Sequence, residues 1–184
     1  DKDTVKVTVL PNPEADAGKD QETCFGVEVQ IGGSPTAKGG TSPYTYSWIP
    51  TTGLDDATVA NPKANPATTT TYQVTVTDSK GCIDKDSVKV TITPGPTADA
   101  GAGKETCFGV EVEIGGSPTA KDGTPGYTYS WSPTTGLDDA TVANPKANPS
   151  TTTTYEVTVT DSKGCIDKDT VKVTVLPNPE ADAG

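Results

Sequence analysis

The feature that most constrains this chain is an internal repeat of 83 residues. Cys24 recurs as Cys107, Trp48 as Trp131 and Cys82 as Cys165. Aligned without gaps, residues 12–94 and 95–177 are identical at 68 of 83 positions. The opening segment 1–18 recurs unchanged at 167–184. A fixed period of this length fits one small β-sandwich per repeat, not the short coil of a solenoid. The reading is therefore an array: 1–11 as the last strand of a preceding repeat, 12–94 and 95–177 as two full repeats, and 178–184 as the start of a following one. With no Met in it, the chain reads as an internal piece of a longer protein.

Alternation of apolar and polar residues marks half-buried strands. In the first repeat it runs over Val27–Ile31, Tyr44–Trp48, Tyr72–Thr77 and Ser87–Ile92. Weaker strands are expected near 14–18, 21–25 and 57–65. All six Asn residues precede Pro, which initiates turns and disfavours the helical region. No stretch has helical periodicity. Seven or so short strands with one Trp on the third long strand describe an all-β, tandem immunoglobulin-like β-sandwich. Tyr72 stands where a tyrosine corner would be. The expected core is Val27, Val29, Ile31, Tyr46, Trp48, Leu54, Val59, Tyr72, Val74, Val76, Val88, Val90 and Ile92. That is a small core for 83 residues, so added cross-links would matter.

Charge excludes some partners. The 25 acidic and 14 basic residues give a net charge of −11, and every basic residue is Lys. Nucleic acid would be repelled, and the Arg that reads phosphates and base edges is missing. An anionic membrane surface is disfavoured for the same reason. No apolar run is long enough to span a bilayer, so no membrane insertion is expected in this segment. There is no His, no nucleophile elbow and no Gly-rich phosphate loop, so no catalytic residues and no enzyme activity are expected.

Segments of the chain resemble a known family. The pattern ADAG…ETCFGVEVQIGG, then YTYSW, then TYQVTVTDSKGC is similar to the polycystic-kidney-disease-like (PKD-like) and related immunoglobulin-like repeats of large Bacteroidota cell-surface proteins. The resemblance covers both full repeats. It implies a secreted β-sandwich used as a spacer or adhesive unit, often exported by the type IX route. Pro-Thr-Thr-Gly-Leu follows the Trp in place of the family's usual Gly and Asp, so no binding property is carried over.

Four residue sets are candidate sites. An even cysteine count in an extracellular setting favours disulfides. Connectivity is open: within each repeat (Cys24–Cys82 and Cys107–Cys165), between repeats (Cys24–Cys165), or free and intermolecular thiols. With no CxxC pair and no His, zinc is not expected. Asp55, Asp56, Asp138 and Asp139, with Asp78, Asp84 and Asp86, are weak calcium candidates set against ordinary turn-forming Asp; no cofactor is otherwise expected. The tripeptides at 3–5, 86–88 and 169–171 resemble the Asp-Ser/Thr-aliphatic acceptor of Bacteroidota O-glycosylation, with Thr4, Ser87 and Thr170 as acceptors. The Thr runs 68–71 and 151–154 read as β-prone outer surface.

Two functions follow. One is a structural segment of an extracellular, cell-surface fibre or adhesin stalk. Its partners would be neighbouring repeats and other copies of the fibre. The other is an adhesive module that binds a glycan or protein through its loops. No exposed loop aromatics for glycan stacking are evident in the sequence.

Overall fold

The computed structural model describes residues 1–177. Segment 178–184, expected to start a following repeat, lies outside the described residues. Among the described residues there is no helix. The chain divides into two compact units, Asp1–Thr93 and Pro94–Gly184.

Each unit holds eight strands. The first has β1 (Pro13–Ala15), β2 (Gln21–Cys24), β3 (Val29–Gln30), β4 (Ala37–Gly39), β5 (Thr45–Ile49), β6 (Lys63–Ala64), β7 (Thr70–Thr77) and β8 (Ile83–Thr93). One layer is a four-stranded sheet in the order β2-β8-β7-β5. β7 pairs antiparallel with both neighbours, and β2 joins the outer edge of β8 in parallel. Against this sheet pack two small antiparallel pairs, β1 with β4 and β3 with β6. The first strand thus crosses layers: β1 belongs to one and β2 to the other. Two layers around one core with this edge crossing make each repeat an immunoglobulin-like β-sandwich. The second unit repeats the plan with β9 (Pro96–Ala98), β10 (Lys104–Cys107), β11 (Val112–Glu113), β12 (Ala120–Asp122), β13 (Thr128–Ser132), β14 (Lys146–Ala147), β15 (Thr153–Thr160) and β16 (Ile166–Leu176).

Period-2 patterning builds the core. Along β7, Tyr72, Val74 and Val76 are buried, while Thr71, Gln73, Thr75 and Thr77 face the other way. In register, Trp48 lies opposite Val74, and Tyr72 opposite Val88, so large side chains stack on one face. The second layer contributes Ala17, Ile31, Ala37 and Ala64 to the same core. Small residues are needed there because Trp48 and Tyr72 fill the space between layers. The polar tips are satisfied: the Trp48 indole N–H donates to the Val59 carbonyl at 3.0 Å. The Tyr72 hydroxyl donates to the Thr52 carbonyl at 2.9 Å. That acceptor lies 20 residues upstream, in the β5–β6 connection, so the bond ties two elements rather than closing a local tyrosine corner.

Several expectations are corrected. Residues 1–11 match the sequence of β16, yet form no strand. Val5, Val7 and Val9 are exposed. Val27 and Val59 are exposed rather than core. The Val27–Ile31 alternation yields only a two-residue strand; Ile31 alone is buried, and Val29 packs at the margin.

Candidate functional site

The ends of β8 and β16 fix what the cysteines can do. Cys24 is the last residue of β2 and lies in register with Thr93, the last residue of β8. Cys82 immediately precedes Ile83, the first residue of β8. Eleven strand residues separate the two ends. At about 3.3 Å per residue the separation is roughly 35 Å, several times the ~7 Å Cα limit for a disulfide. The second unit has the same arrangement: Cys107 is in register with Leu176, and Cys165 precedes Ile166 at the far end of β16. The within-repeat pairing is therefore overturned by strand length. In agreement, Cys82 and Cys107 carry free thiols, whereas Cys24 and Cys165 are disulfide-bonded.

Each unit has an end where the chain enters and one where it leaves. It leaves the first at Thr93, in register with Cys24. It enters the second at β9, beside Cys165: a Cβ built on Gly95 would lie 3.6 Å from the Cys165 Cβ. Cys165 is buried, Cys107 exposed and Cys82 half-buried.

An aspartate turn shapes the entry end. The Asp161 carboxylate accepts backbone N–H bonds from Thr124, Lys163 and Cys165, each at 2.9 Å. Asp78 does the same for Thr41, Lys80 and Cys82, also at 2.9 Å. Burial alone would push both carboxyls up, but the convergent backbone N–H bonds, led by that of Cys82 at Asp78 and that of Thr124 at Asp161, outweigh it and hold them below the ordinary range. Asp78 is thus the rivet of a turn, with both oxygens engaged.

The exit end of the second unit carries an open groove of about 360 Å³, lined by Phe108, Thr151, Thr152, Val175, Leu176 and Pro177. Phe108 is 56% exposed, and its counterpart Phe25 in the first unit is 68% exposed. Exposed aromatics are therefore present, contrary to expectation. They were hidden in sequence because each follows a Cys in what reads as a strand and is in fact a turn.

The remaining candidates sit apart from the cysteines. One oxygen of Asp55 accepts N–H bonds from Asp56 and Lys63, and one of Asp56 binds both the N–H and hydroxyl of Thr58. Asp138 and Asp139 repeat this. The Thr58 and Thr141 hydroxyls, then their N–H groups, lower the carboxyls of Asp56 and Asp139. Among the described residues no three His, Cys, Asp or Glu side chains group as a metal site. Thr4, Ser87 and Thr170 are all exposed, the last two at mid-strand.

Sequence reading missed a second task for the DKD segment. Asp84 and Asp86 accept the backbone N–H groups of Ala15 and Ala17, at 2.9 and 2.8 Å. Asp167 and Asp169 hold Ala98 and Ala100 identically. These carboxylates clasp the first strand, which changes layers just afterwards and has few ladder bonds of its own. The sequence signal was Asp at i and i+2, both pointing to one face of a strand.

No family model matches the chain. A decoration protein of Escherichia phage T5 is 38% identical over 97 residues, half of this chain and 58% of that protein. The match thus spans less than two thirds of the relative. Among solved structures, the PKD domain from KIAA 1837 protein has 25% identity and a TM-score of 0.39, covering 47% of this chain and 92% of its own. The insect immune protein hemolin has 15% identity and a TM-score of 0.41, covering 96% and 49%. An I-band fragment from titin has 12% identity and a TM-score of 0.37, covering 93% and 67%. With TM-scores this low, the fold assignment rests on strand order and register alone.

No helix of the described residues is long and apolar enough to cross a membrane.

Proposed function

We propose that this chain is a structural segment of a secreted, non-enzymatic fibre or adhesin stalk at the cell surface, whose consecutive repeats are stapled by a Cys24–Cys165 disulfide. One observation carries the reading. Cys24 lies across from Thr93 in the first unit, and Cys165 lies beside Gly95 in the second. Thr93 and Gly95 are separated by one residue. Both cysteines are oxidised, and each is barred by an eleven-residue strand from its partner within the repeat. A bond across the junction would convert the single-chain connection at Pro94-Gly95 into a two-point attachment. Load would then pass through a covalent loop rather than a single strand.

The oxidised cysteines favour an oxidising, extracellular compartment. The partial match to a decoration protein also supports a structural role. The PKD-like motifs favour a Bacteroidota surface array, and the segment is assigned no cofactor. Ser87 and Thr170, exposed at mid-strand, are accessible as O-glycosylation acceptors, as is Thr4.

Imaging cells that display the parent array tests this. The reading expects thin filaments with an axial step of roughly 35–45 Å, one sandwich long. Compact particles without axial periodicity would contradict it. The exposed Phe25 and Phe108 favour a second reading, a binding module. Saturable binding to one glycan or protein, lost with F25A and F108A, would select it.

A further inference from the structure

The two repeats differ at one turn in a way that carries chemistry. Where the first has Gly39-Gly40, the second has Asp122-Gly123, the chain's one Asp-Gly pair. Asp122 is exposed and, among the described residues, is the sole residue other than Gly with a positive φ, at 60°. An L residue is held there under strain. We propose that the Asp122-Gly123 turn is a self-modification site, at which the backbone rearranges to isoaspartate through a succinimide without an enzyme. This is independent of how the cysteines pair.

Three features favour the reaction here over any other Asp. Gly123 has no Cβ to hinder the approach of its backbone nitrogen to the Asp122 carboxyl. The Thr97 hydroxyl donates to Asp122 Oδ2 at 2.9 Å, drawing electron density from Cγ, the atom to be attacked. The Tyr127 hydroxyl donates to the Asp122 backbone carbonyl at 2.5 Å, which polarises the peptide and makes the adjoining Gly123 N–H more acidic. Thr97 and Asp122 also occur as a pair. The first repeat has Glu14 and Gly39 at those positions, and Glu14 pairs instead with Lys38 at 3.0 Å. Competing sites are blocked. All six Asn residues precede Pro, whose nitrogen carries no proton and cannot close a neutral imide. Asp78 and Asp161 precede Ser, and backbone N–H bonds hold both oxygens of each carboxyl.

The steps balance with water alone. The Gly123 amide nitrogen gives up its proton and attacks Cγ of the neutral Asp122 carboxyl. The N–Cγ bond forms, the carboxyl O–H leaves as water, and a five-membered succinimide closes. Water then adds to one of the two ring carbonyls. Opening one way returns Asp122; opening the other way leaves the main chain running through Cβ. One water leaves and one enters, and nothing is oxidised. The product has an extra backbone atom at the end of β12, where Asp122 pairs with Pro96 of β9. The second repeat therefore loosens with age at a strand pair that the first repeat keeps intact.

The test holds the full chain for weeks at about 37 °C and about pH 5, where a share of carboxyls is neutral. Peptide mapping with electron-transfer fragmentation, and methyl labelling by an isoaspartyl methyltransferase, then locate the product. Isoaspartate at position 122 should exceed that at every other Asp by at least about tenfold, because only there does Gly follow. The peptide holding Gly39 and Gly40 is the internal blank, and D122G should remove the signal. T97V and Y127F separate assistance from mere support. If the two hydroxyls only held the turn in place, their loss would free it and speed the reaction. Assistance predicts the reverse: each variant slows isomerisation by about two- to tenfold, the factor an ordinary hydrogen bond is worth. Isoaspartate at 122 no higher than at the other Asp sites would overturn the proposal, and so would a rate unchanged or faster in both hydroxyl variants.

Discussion

The Asp161 carboxylate accepts the backbone N–H of Cys165 at 2.9 Å, so an acid holds the turn on which an oxidised cysteine sits. Asp78 holds the Cys82 turn in the same way. Both carboxyls are lowered in the folded protein. A lowered folded-state value means that the unfolded chain takes up protons first as pH falls. Stability from these turns is fully present above the unfolded Asp value of roughly 4 and is lost below it. Thermal unfolding followed from pH 7 to pH 2 should show Tm falling below about pH 4. D78N and D161N should lower Tm at pH 7 and flatten that fall. An unchanged slope in both variants would count against the turn.

The clasps on the first strand make a graded pair of variants. D86A leaves the buried Ala17 N–H without its acceptor and should cost about 1–3 kcal/mol in denaturant unfolding. D86N keeps an oxygen acceptor and should cost less. S87A removes only an exposed hydroxyl and should fall within about ±0.5 kcal/mol. If the parent protein is glycosylated at Ser87, S87A removes that mass without unfolding the repeat, while D86A disturbs both.

Trp48 and Trp131 anchor their cores, at 0% and 1% exposure. W131A should cost about 3–5 kcal/mol from the cavity. W131F keeps most of the packing but leaves the Val142 carbonyl without the indole N–H that now lies at 3.0 Å. Its expected cost is smaller, about 1–3 kcal/mol. Equal losses for the two variants, by urea titration, would contradict this division.

Gly33 and Gly116 are held by space. A Cβ on Gly33 would meet the Asp16 Cγ at 2.4 Å, and one on Gly116 would meet the Asp99 Cγ at the same distance. Asp16 cannot swing away freely, because its Oδ1 accepts the Gly18 N–H at 2.8 Å. G33A should therefore destabilise by about 1–3 kcal/mol through overpacking. A neutral result would show that the loop yields.

What the sequence made legible is the part written in period-2 patterning. β5, β7 and β8 appear within a few residues of their expected places, and Trp48, Tyr72, Val74, Val76, Val88 and Val90 are buried as expected. The opposite layer was harder to see. β4 is Ala-Lys-Gly, with no alternation to announce it, and its contribution is the small side chain of Ala37 against large partners. Val27 and Val59 follow the apolar rule and still face solvent, because they fall in connections that leave the layers. The cysteines divide in the same manner. Sequence supplied their number and spacing. Register was needed to reject the within-repeat bond, because only the eleven-residue length of β8 shows that its ends cannot meet.

Peptide mapping of the unreduced chain tests the stapled array most directly. After proteolysis with thiols blocked, the account predicts a reducible species that joins the Cys24 and Cys165 peptides, with Cys82 and Cys107 recovered as blocked thiols. Recovery of Cys24 joined to Cys82, or of all four as blocked thiols, would contradict it.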